Sequence, residues 1–308
     1  MNDSDPKDVR DRSGPMANLA DDEQGSQADS ANTAPRPRIA IAEALRDNWF
    51  EIWYQPKIDL KRKCLAGAEA LARMRHPQFG VLHPGDFLPE VDENSIVELA
   101  QQALLATLLD WTMFDEAGFN LQLAVNVPAN VLFKLPIPRL VAEYQPKSER
   151  WPGLILEVTE DHIVRDAALA NDIATQLRVN GITIALDEFG AGYSSFSSLR
   201  ALPFAELKID QSFVTGCATD AANAAICQTA IDLAHRFGSA AVAEGVERSA
   251  DLQALMVMGC DFGQGPLVAP PMPKERFLEL LRQRMNKPRG ATPRDAMHVS
   301  PKVAGRVA

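Results

Sequence analysis

The sequence predicts an α/β protein whose strands close into a barrel, and three observations lead to that fold class. Apolar strand-like runs alternate with helix-like segments along most of the chain, in about eight units. The runs are almost continuously apolar, which is typical of a parallel sheet covered by helices. The chain of 308 residues is long enough for one large barrel. A two-domain open sheet is the structural alternative.

The two ends of the chain differ in composition from the middle. Residues 1–38 are rich in Asp, Ser, Asn, Pro and Ala without apolar periodicity, and residues 286–308 are rich in Pro, Gly and charged residues. Such segments bury too little apolar surface to offset the entropy lost on ordering them. We therefore predict a disordered leader over 1–38, a folded domain over 39–285 and a disordered tail over 286–308.

Eight apolar runs are predicted to be strands. In chain order they are Phe50–Pro56, Leu65–Arg73, Leu121–Val127, Leu154–Thr159, Thr183–Asp187, Ala205–Asp210, Ala240–Val246 and Asp261–Gly265. Pro56 suits the end of a strand, because proline lacks the N–H that a sheet needs. Glu69 interrupts the second run, and a carboxylate buried there requires a cation or a hydrogen-bond partner.

Apolar residues at helical spacing predict the elements between the strands. Ser95 and Glu98 have the form of a capping box, which predicts a helix from there to about Phe114. The other predicted helices run from Ile39 to about Asn48, through Leu169, Ile173 and Leu177 to Gly181, from Ala221 to Gly238, from a cap at Ser249 to Gly259, and through Phe277, Leu280 and Leu281.

The composition limits the classes of function. A formal net charge of -10 argues against a surface for a nucleic-acid polymer, although cations or a few Lys and Arg side chains can still hold a phosphate ester. The four cysteines show no C-x-x-C pair, which favours a reduced, cytoplasmic chain with core cysteines. The N-terminus is not signal-like and no apolar run is long enough to span a bilayer, so we predict no membrane insertion.

Polar side chains stand near the ends of successive predicted strands. They are Glu69, Asn126, Glu157, Asp187, Glu188, Lys208, Glu244 and Gln264. In a barrel the carboxyl ends of the strands meet at one rim, so these residues are expected to converge there. Each one alone has an ordinary explanation as a solvated or structurally paired group. Together their carboxylate and amide oxygens form a set of hard ligands suited to Mg²⁺ or Mn²⁺.

This set of residues is suited to phosphoryl chemistry. Two divalent ions ~4 Å apart can clamp the attacking and leaving oxygens of a displacement at phosphorus. The adjacent acids Asp187 and Glu188 are placed to bridge two ions, and Lys208 is placed to orient or deprotonate a water. Arg73 is placed to hold a phosphate.

Eight segments together resemble the ordered motifs of EAL-domain cyclic di-GMP phosphodiesterases. They are Tyr54-Gln55-Pro56, Glu69-Ala70-Leu71-Ala72-Arg73, Asn126-Val127, Leu156-Glu157-Val158-Thr159-Glu160, Leu186-Asp187-Glu188-Phe189-Gly190, Leu207-Lys208-Ile209-Asp210, Ala243-Glu244-Gly245-Val246-Glu247 and Gln264-Gly265. The resemblance extends over roughly 39–284. It implies a modified (β/α)₈ barrel whose first strand is antiparallel to the others. The implied reaction is Mg²⁺- or Mn²⁺-dependent hydrolysis of 3′,5′-cyclic di-GMP to linear pGpG.

The resemblance also implies a role for individual residues. One metal ion would bind Glu69, Asn126, Glu157 and Asp187, and a second would bind Asp187, Glu188 and Glu244. Lys208, with Glu188 and Glu244, would carry the catalytic chemistry. Gln55, Leu71, Arg73 and Gln264 would contact the substrate. Glu160 would anchor the loop from Phe189 to Ser195, which in the family links the site to dimerisation, so a homodimer is expected.

Two residues depart from the family pattern. Glu188 stands where the family usually has Asp, and its extra methylene moves the carboxylate by ~1.5 Å, a displacement that matters for catalysis. Pro266 stands where an aromatic residue commonly follows Gln264 and Gly265. The longer acid keeps open a second hypothesis, a catalytically weak barrel that acts as a cyclic di-GMP receptor or binds another protein. Regulation is expected from the tails, the dimer or another chain.

A third class, a different metal-dependent barrel enzyme such as one that enolises a carboxylate substrate, ranks far lower. That chemistry gives no reason for the ordered motifs.

Overall fold

A ring of eight strands forms the centre of the fold. The computed structural model describes residues 41–88, 91–132, 134–159, 167–190, 203–285 and 298–299. The strands are β1 (Phe50–Asp59), β2 (Cys64–His76), β3 (Gly80–Leu82), β4 (Gln122–Asn126), β5 (Leu154–Thr159), β6 (Ile182–Phe189), β7 (Glu206–Ile209), β8 (Ala240–Ala243), β9 (Phe262–Gln264), β10 (Met272–Pro273) and β11 (His298–Val299). The helices are α1 (Ile41–Arg46), α2 (Pro84–Phe87), α3 (Glu93–Glu116), α4 (Ala129–Leu132), α5 (Ile137–Tyr144), α6 (Ala167–Val179), α7 (Gln211–Val214), α8 (Ala221–Arg236), α9 (Ser249–Met258) and α10 (Lys274–Met285).

The strand pairings close the sheet into a barrel. Strand β2 and strands β4 to β9 pair in parallel in chain order. Strand β1 pairs antiparallel with both β2 and β9, which joins the two ends of this series. Strands β3 and β11 pair with β2, and β10 pairs with β1. The predicted barrel with its antiparallel first strand is therefore confirmed, and the open-sheet alternative is wrong.

A tight turn explains why β1 runs against the other strands. The carboxylate of Asp59 accepts hydrogen bonds from the backbone N–H groups of Lys61 and Arg62, and Lys63 takes a left-handed backbone with φ of 53°. This turn folds β1 directly back onto β2, and a short connection of this kind allows only an antiparallel pair. The hairpin places the start of β1 at the rim where the parallel strands end.

Two of the predicted helix starts need correction. The cap of α3 is Asp92, whose side chain accepts hydrogen bonds from the backbone of Asn94 and Ser95, so the predicted cap at Ser95 is wrong by three residues. Ser249 is the first residue of α9 and not its cap. Asp92 competes well for the cap position of α3, because its carboxylate is a strong acceptor, whereas Arg248, which precedes Ser249, makes no side-chain cap.

The barrel separates a large outer core from a small inner one. Leucines and isoleucines that point outward from the strands pack beneath the helices. Inside the barrel, Ala124, Ile155 and Ala185 form a separate apolar cluster. Side chains alternate along a strand, so the residues two positions further on, Asn126 and Glu157 among them, also point inward but at the rim. The inner apolar layer thus supports a polar rim.

Beneath the rim, the barrel interior holds a second buried ion pair. The ammonium of Lys57 on β1 lies 2.6 Å from both carboxylate oxygens of Glu206, the first residue of β7. The two residues are 4% and 7% exposed. A buried ion pair of this kind is costly to break by removing one partner, because the other charge is left without compensation.

Breaking this pair is expected to destabilise the barrel. Lys57→Met alone should lower the free energy of unfolding by about 3–5 kcal/mol, whereas Lys57→Met combined with Glu206→Leu should recover most of that loss. Urea unfolding measures both. Lys61→Met, which removes the exposed lysine paired with Asp261, is the control and should change the value by less than ~1 kcal/mol. Additive losses in the double variant would contradict the prediction.

Three further observations concern the predictions on the chain as a whole. The four cysteines are free and buried, as expected of core residues. Among the described helices, none has both the length and the apolar character needed to cross a membrane. The predicted leader over 1–38 and nearly all of the predicted tail over 286–308 lie outside the described residues. Their disorder and the cytoplasmic location stay predictions.

Candidate active site

The ammonium of Lys208 lies at the centre of a buried group of carboxylates at the rim. Lys208 is the third residue of β7 and is 1% exposed. Its Nζ lies 2.7 Å from Glu244 Oε1, 2.9 Å from Glu157 Oε2, 3.2 Å from Asp187 Oδ1 and 3.6 Å from Glu69 Oε2. We call these four acids and Lys208 the acidic cluster. Its members were all predicted to lie near strand ends, and the structure brings them together.

Two amides complete the acidic cluster. Asn126 Nδ2 donates a hydrogen bond to Glu69 Oε1 over 2.7 Å. Gln264 Nε2 donates to Glu69 Oε2 over 2.6 Å and to Glu244 Oε1 over 3.1 Å. Both amide oxygens are thereby held at the rim, because each amide nitrogen is bound to a carboxylate.

The strand register explains why these residues meet. Asn126 lies opposite Glu157 in the pairing of β4 with β5, and Gln55 lies opposite Glu69 in the pairing of β1 with β2. Inward-facing residues of neighbouring strands at the same level of a barrel form a layer. Residues far apart in the chain therefore reach hydrogen-bond distance without any local sequence signal.

A glycine positions Gln264 at this level. Gly265 has φ of 151°, and a Cβ on it would lie 2.2 Å from the backbone nitrogen of Val246. The backbone of Gln264 in turn accepts a hydrogen bond from Val246 over 3.0 Å. Only a residue without a side chain permits this close approach.

The acidic cluster carries more negative charge than Lys208 can balance. Four carboxylates against one ammonium leave an excess of three negative charges if all the acids are ionised. Burial raises the pKa of Glu244 to about 7, against the opposing effect of Lys208. Burial and the charge of Glu69 raise the pKa of Glu157 well above its usual value. Protons or metal ions are therefore needed to stabilise the group.

Lys208 itself is held as a cation. Burial alone lowers the pKa of Lys208, but the four surrounding carboxylates outweigh burial and raise the pKa well above its usual value. Burial likewise raises the pKa of Glu69, yet Lys208 and the hydrogen bonds to Glu69 outweigh it and hold this pKa below the usual range. In this arrangement Lys208 donates hydrogen bonds and does not accept a proton.

Glu188 occupies a distinct position beside the acidic cluster. It is exposed at the end of β6 and its backbone is left-handed, with φ of 57°. Its N–H donates a hydrogen bond to Asp187 Oδ1 over 2.9 Å. The pairing of β6 with β7 shifts register between Leu186 and Phe189, which reorients the chain at Glu188.

Arg73 brings a buried positive charge to the β2 side of the rim. It is 5% exposed, and its Nη1 donates to the carbonyl oxygen of Ala72 over 2.7 Å. Its Nε is buried with no hydrogen-bond partner among the described residues. A buried guanidinium with an unused donor fits an anionic ligand such as a phosphate.

The other predicted substrate contacts lie on the same hairpin. Gln55 Nε2 donates to the carbonyl oxygen of Ala269 over 3.4 Å. Leu71 lies directly opposite Trp53 in the pairing of β1 with β2.

One predicted residue cannot be placed. Glu160, the predicted loop anchor, lies outside the described residues, as does the loop beyond Gly190. Its role stays a prediction.

The rim suits a divalent cation by its chemistry. Within the described ranges, no three acidic, His or Cys side chains already stand as a ready metal site, and the Lys208 ammonium lies between the carboxylates. The donor atoms are nevertheless hard oxygens in negative excess, which is the set that Mg²⁺ and Mn²⁺ prefer. Residues Glu69, Asn126, Glu157, Asp187 and Glu244 therefore fit the metal that was predicted.

Comparison with known proteins identifies the family. A family model described as EAL domain matches residues 38–271. Cyclic di-GMP phosphodiesterase PA2567 of Pseudomonas aeruginosa is 35% identical over 239 residues, which cover 76% of this chain and 40% of that protein. Cyclic di-GMP phosphodiesterase RocR of the same species is 33% identical over 249 residues, 80% of this chain and 64% of that protein. The chain thus spans less than two thirds of the length of either relative.

Solved structures agree with this result. The structure named PaMucR Phosphodiesterase, c-di-GMP complex, superposes with a TM-score of 0.70 at 34% identity and covers 77% of this chain and 97% of that one. The EAL enzyme Bd1971, in a form bound to cAMP and cyclic-di-GMP, gives a TM-score of 0.71 at 30% identity over 78% of this chain and 66% of that one. The family match, the similar sequences and the shared fold show that the chain belongs to the EAL domain family.

Proposed function

We propose that this chain hydrolyses one phosphodiester bond of 3′,5′-cyclic di-GMP, giving linear pGpG, with two divalent metal ions. The observation that carries the proposal is the acidic cluster around Lys208, buried at the barrel rim beside Arg73. The names of the relatives, cyclic di-GMP phosphodiesterases PA2567 and RocR, support the same substrate and a hydrolase.

The proposed metal ligands are the oxygens of the rim. Glu69, Asn126, Glu157 and Asp187 would hold one Mg²⁺ or Mn²⁺ ion, and Asp187, Glu188 and Glu244 would hold the other. Such ions, when bound, supply Lewis-acid stabilisation of phosphate oxygens and lower the pKa of water.

The remaining residues bind and orient. The guanidinium of Arg73, with its unused Nε–H, would bind a phosphate oxygen of the diester. The ammonium of Lys208 would donate a hydrogen bond that orients the attacking water or stabilises negative charge as it develops. In the net reaction the water oxygen bonds to phosphorus, one phosphorus–oxygen ester bond breaks, and a proton ends on the released ribose oxygen.

A hydrolysis assay tests the proposal. The purified 308-residue chain is incubated with cyclic di-GMP and either Mg²⁺ or Mn²⁺, and products are separated by chromatography. We expect pGpG to accumulate only when a metal ion is present, and EDTA should abolish it. Intact cyclic di-GMP under every metal condition would overturn the proposal.

Glu188 favours a second candidate function, a receptor that binds cyclic di-GMP without hydrolysing it. The residue is longer than the Asp usual in the family, and it takes a left-handed backbone that glutamate adopts less readily than aspartate. Tight binding with no product would support the receptor over the enzyme.

Shortening this side chain is expected to increase turnover. Glu188→Asp should raise kcat by about 10- to 100-fold, because a displacement on the order of 1 Å at a reacting site costs about that much. The melting temperature should not fall, since the backbone at φ of 57° accepts aspartate well. Glu188→Gln, which keeps the length and removes the charge, is the matched control and should lower kcat. Equal rates for all three proteins would contradict a role for this carboxylate.

Two further partners also stay predictions. A homodimer and a regulatory protein partner are expected from the family resemblance, and light scattering on the purified chain tests the first of them.

A further inference from the structure

We propose that Lys57, paired with Glu206 beneath the rim, is a positioning residue that keeps the Lys208 ammonium among the carboxylates of the acidic cluster. Lys57 acts by neutralising Glu206, a buried carboxylate that would otherwise draw Lys208 away from the rim. The proposal rests on the proposed function and deepens it, because it assigns a role in turnover to an ion pair outside the acidic cluster.

Glu206 and Lys208 lie on the same side of β7, one layer apart. Glu206 is the first residue of the strand and Lys208 is the third, and both are buried. Alternate residues of a strand point to the same face, and two residues advance a strand by about 6.6 Å. A glutamate and a lysine side chain together can bridge that distance. An unpaired Glu206 would therefore compete for the Lys208 ammonium.

The Lys57 ammonium binds both carboxylate oxygens of Glu206. Its Nζ lies 2.6 Å from Oε1 and 2.6 Å from Oε2. The same Nζ lies 5.4 Å from the centre of the Phe262 ring, which adds a cation–π contact. The pairing of β1 with β2 shifts register between Lys57 and Ile58, and an irregularity of this kind changes the direction of nearby side chains. The charge of Glu206 is thus neutralised from the side of β1.

Lys208 points away from Glu206 when the ion pair is intact. Its Nζ lies 2.7 Å from Glu244 Oε1 and 2.9 Å from Glu157 Oε2, both at the rim. Within the described part of the chain, the ion pair of Glu206 is the one with Lys57. The two buried lysines therefore divide the carboxylates of the barrel interior between them. Lys57 pairs with Glu206, and Lys208 pairs with the acidic cluster.

The attraction that holds Lys208 at the rim weakens once cations share its carboxylates. In the metal-free protein, four carboxylates surround this one ammonium. In the proposed active state the same carboxylates are ligands of divalent ions, whose charge offsets the charge that attracts Lys208. Glu206 lies outside the acidic cluster and is not among the proposed ligands. Its neutralisation by Lys57 therefore matters most in the state that turns over the substrate.

Removing the charge of Lys57 tests the proposal by turnover and by structure. Lys57→Met should lower kcat for cyclic di-GMP by about 10- to 100-fold and change KM by less than ~3-fold, because a reacting group displaced by about 1 Å costs up to that factor. The Kd of Mn²⁺, obtained from the rise in melting temperature, should not increase, since removing a positive charge does not weaken the binding of a cation. A crystal structure of Lys57→Met grown with Mn²⁺ should show Lys208 Nζ within about 3.2 Å of a Glu206 oxygen.

Three further variants separate positioning from folding. Lys57→Met combined with Glu206→Leu removes the competing carboxylate together with the ammonium, and should return kcat to within ~3-fold of the parent value. Lys57→Arg keeps a cation beside Glu206 and should also keep kcat within ~3-fold. Lys57→Gln removes the charge but retains a hydrogen-bond donor, so it replaces Lys57→Met in every comparison if the methionine variant does not fold.

The proposal fails if Lys208 still lies between Glu157 and Glu244 in the structure of Lys57→Met with Mn²⁺, or if kcat is unchanged. It also fails if the double variant is as slow as Lys57→Met, or if the Kd of Mn²⁺ rises with the loss of kcat, because general damage to the barrel then explains the result. A parent that forms no pGpG would overturn the phosphodiesterase proposal instead. The position of Lys208 in crystals of the parent and of Lys57→Met would still decide this one.

Discussion

Replacing Lys208 with methionine is expected to lower kcat for cyclic di-GMP by about 10³-fold, on the order of 4 kcal/mol in the barrier, without weakening the binding of Mg²⁺ or Mn²⁺. The ammonium lies within 3.6 Å of four carboxylates, so its removal makes the acidic cluster more negative. A more negative site attracts a divalent cation more strongly. The variant therefore separates the contribution of Lys208 to kcat from the contribution of the carboxylates to metal affinity.

Two measurements check this prediction. Steady-state hydrolysis gives kcat, and metal titration followed by the rise in melting temperature gives metal affinity. Lys61→Met removes an exposed lysine at a distance from the rim and should leave both values unchanged. A parallel loss of metal affinity and kcat in Lys208→Met would show instead that Lys208 arranges the carboxylates for the metal.

The barrel and its polar rim follow from patterns that the sequence displays directly. Glu157, Asp187 and Lys208 lie within the last three residues of their strands and Glu244 directly follows one, and parallel strands bring such residues to one edge. Strand alternation fixes their inward orientation once the run is a strand. The closed ring then sets their mutual distances. The residues that meet at the rim were therefore predictable from the sequence, although the distances between them were not.

The parts that were not predicted depend on contacts between distant segments. Lys57 and Glu206 form an ion pair although they are 149 positions apart in the chain, and no local sequence pattern indicates that they pair. Trp53 lines a cavity with residues more than two hundred positions away, and the hairpin turn at Asp59 to Lys63 is what brings it to the rim. Local periodicity cannot report such pairs, because they arise only when the ring closes.

The conformation of Glu188 was not predictable from the sequence for a different reason. Its identity was visible in the sequence, whereas its left-handed backbone depends on the register shift between β6 and β7. Whether a carboxylate reaches a metal site depends on that backbone as much as on side-chain length.

Replacing Glu157 with glutamine is expected to lower affinity for Mg²⁺ or Mn²⁺ by at least about 100-fold and kcat/KM by ~10³-fold, while the metal-free protein keeps its stability within ~1 kcal/mol. Glutamine has nearly the same shape and no charge, so it reduces the excess negative charge of the cluster with all the acids ionised from three to two. Lys208 keeps its other three carboxylates. The metal-free barrel therefore loses little stability, whereas affinity for the metal ion falls because one charged ligand is removed.

Because metal binding stabilises the native state, the loss of metal affinity in Glu157→Gln can be measured as a loss of stability. At a metal concentration of ~100 times its Kd, binding stabilises the native chain by about 2.7 kcal/mol, and most of that increment should vanish in Glu157→Gln. Glu206→Gln makes the same chemical change outside the acidic cluster, where it breaks the pair with Lys57. In that control the free energy of unfolding without metal should fall by about 3–5 kcal/mol, and the added stability on metal binding should be fully kept. If both variants lost the same quantity, the rim would be a structural group of acids and not a metal site. Urea unfolding with and without metal measures both variants. If Glu157→Gln loses the stabilisation by metal and Glu206→Gln loses only the stability of the metal-free protein, the excess negative charge at the rim serves to bind a cation.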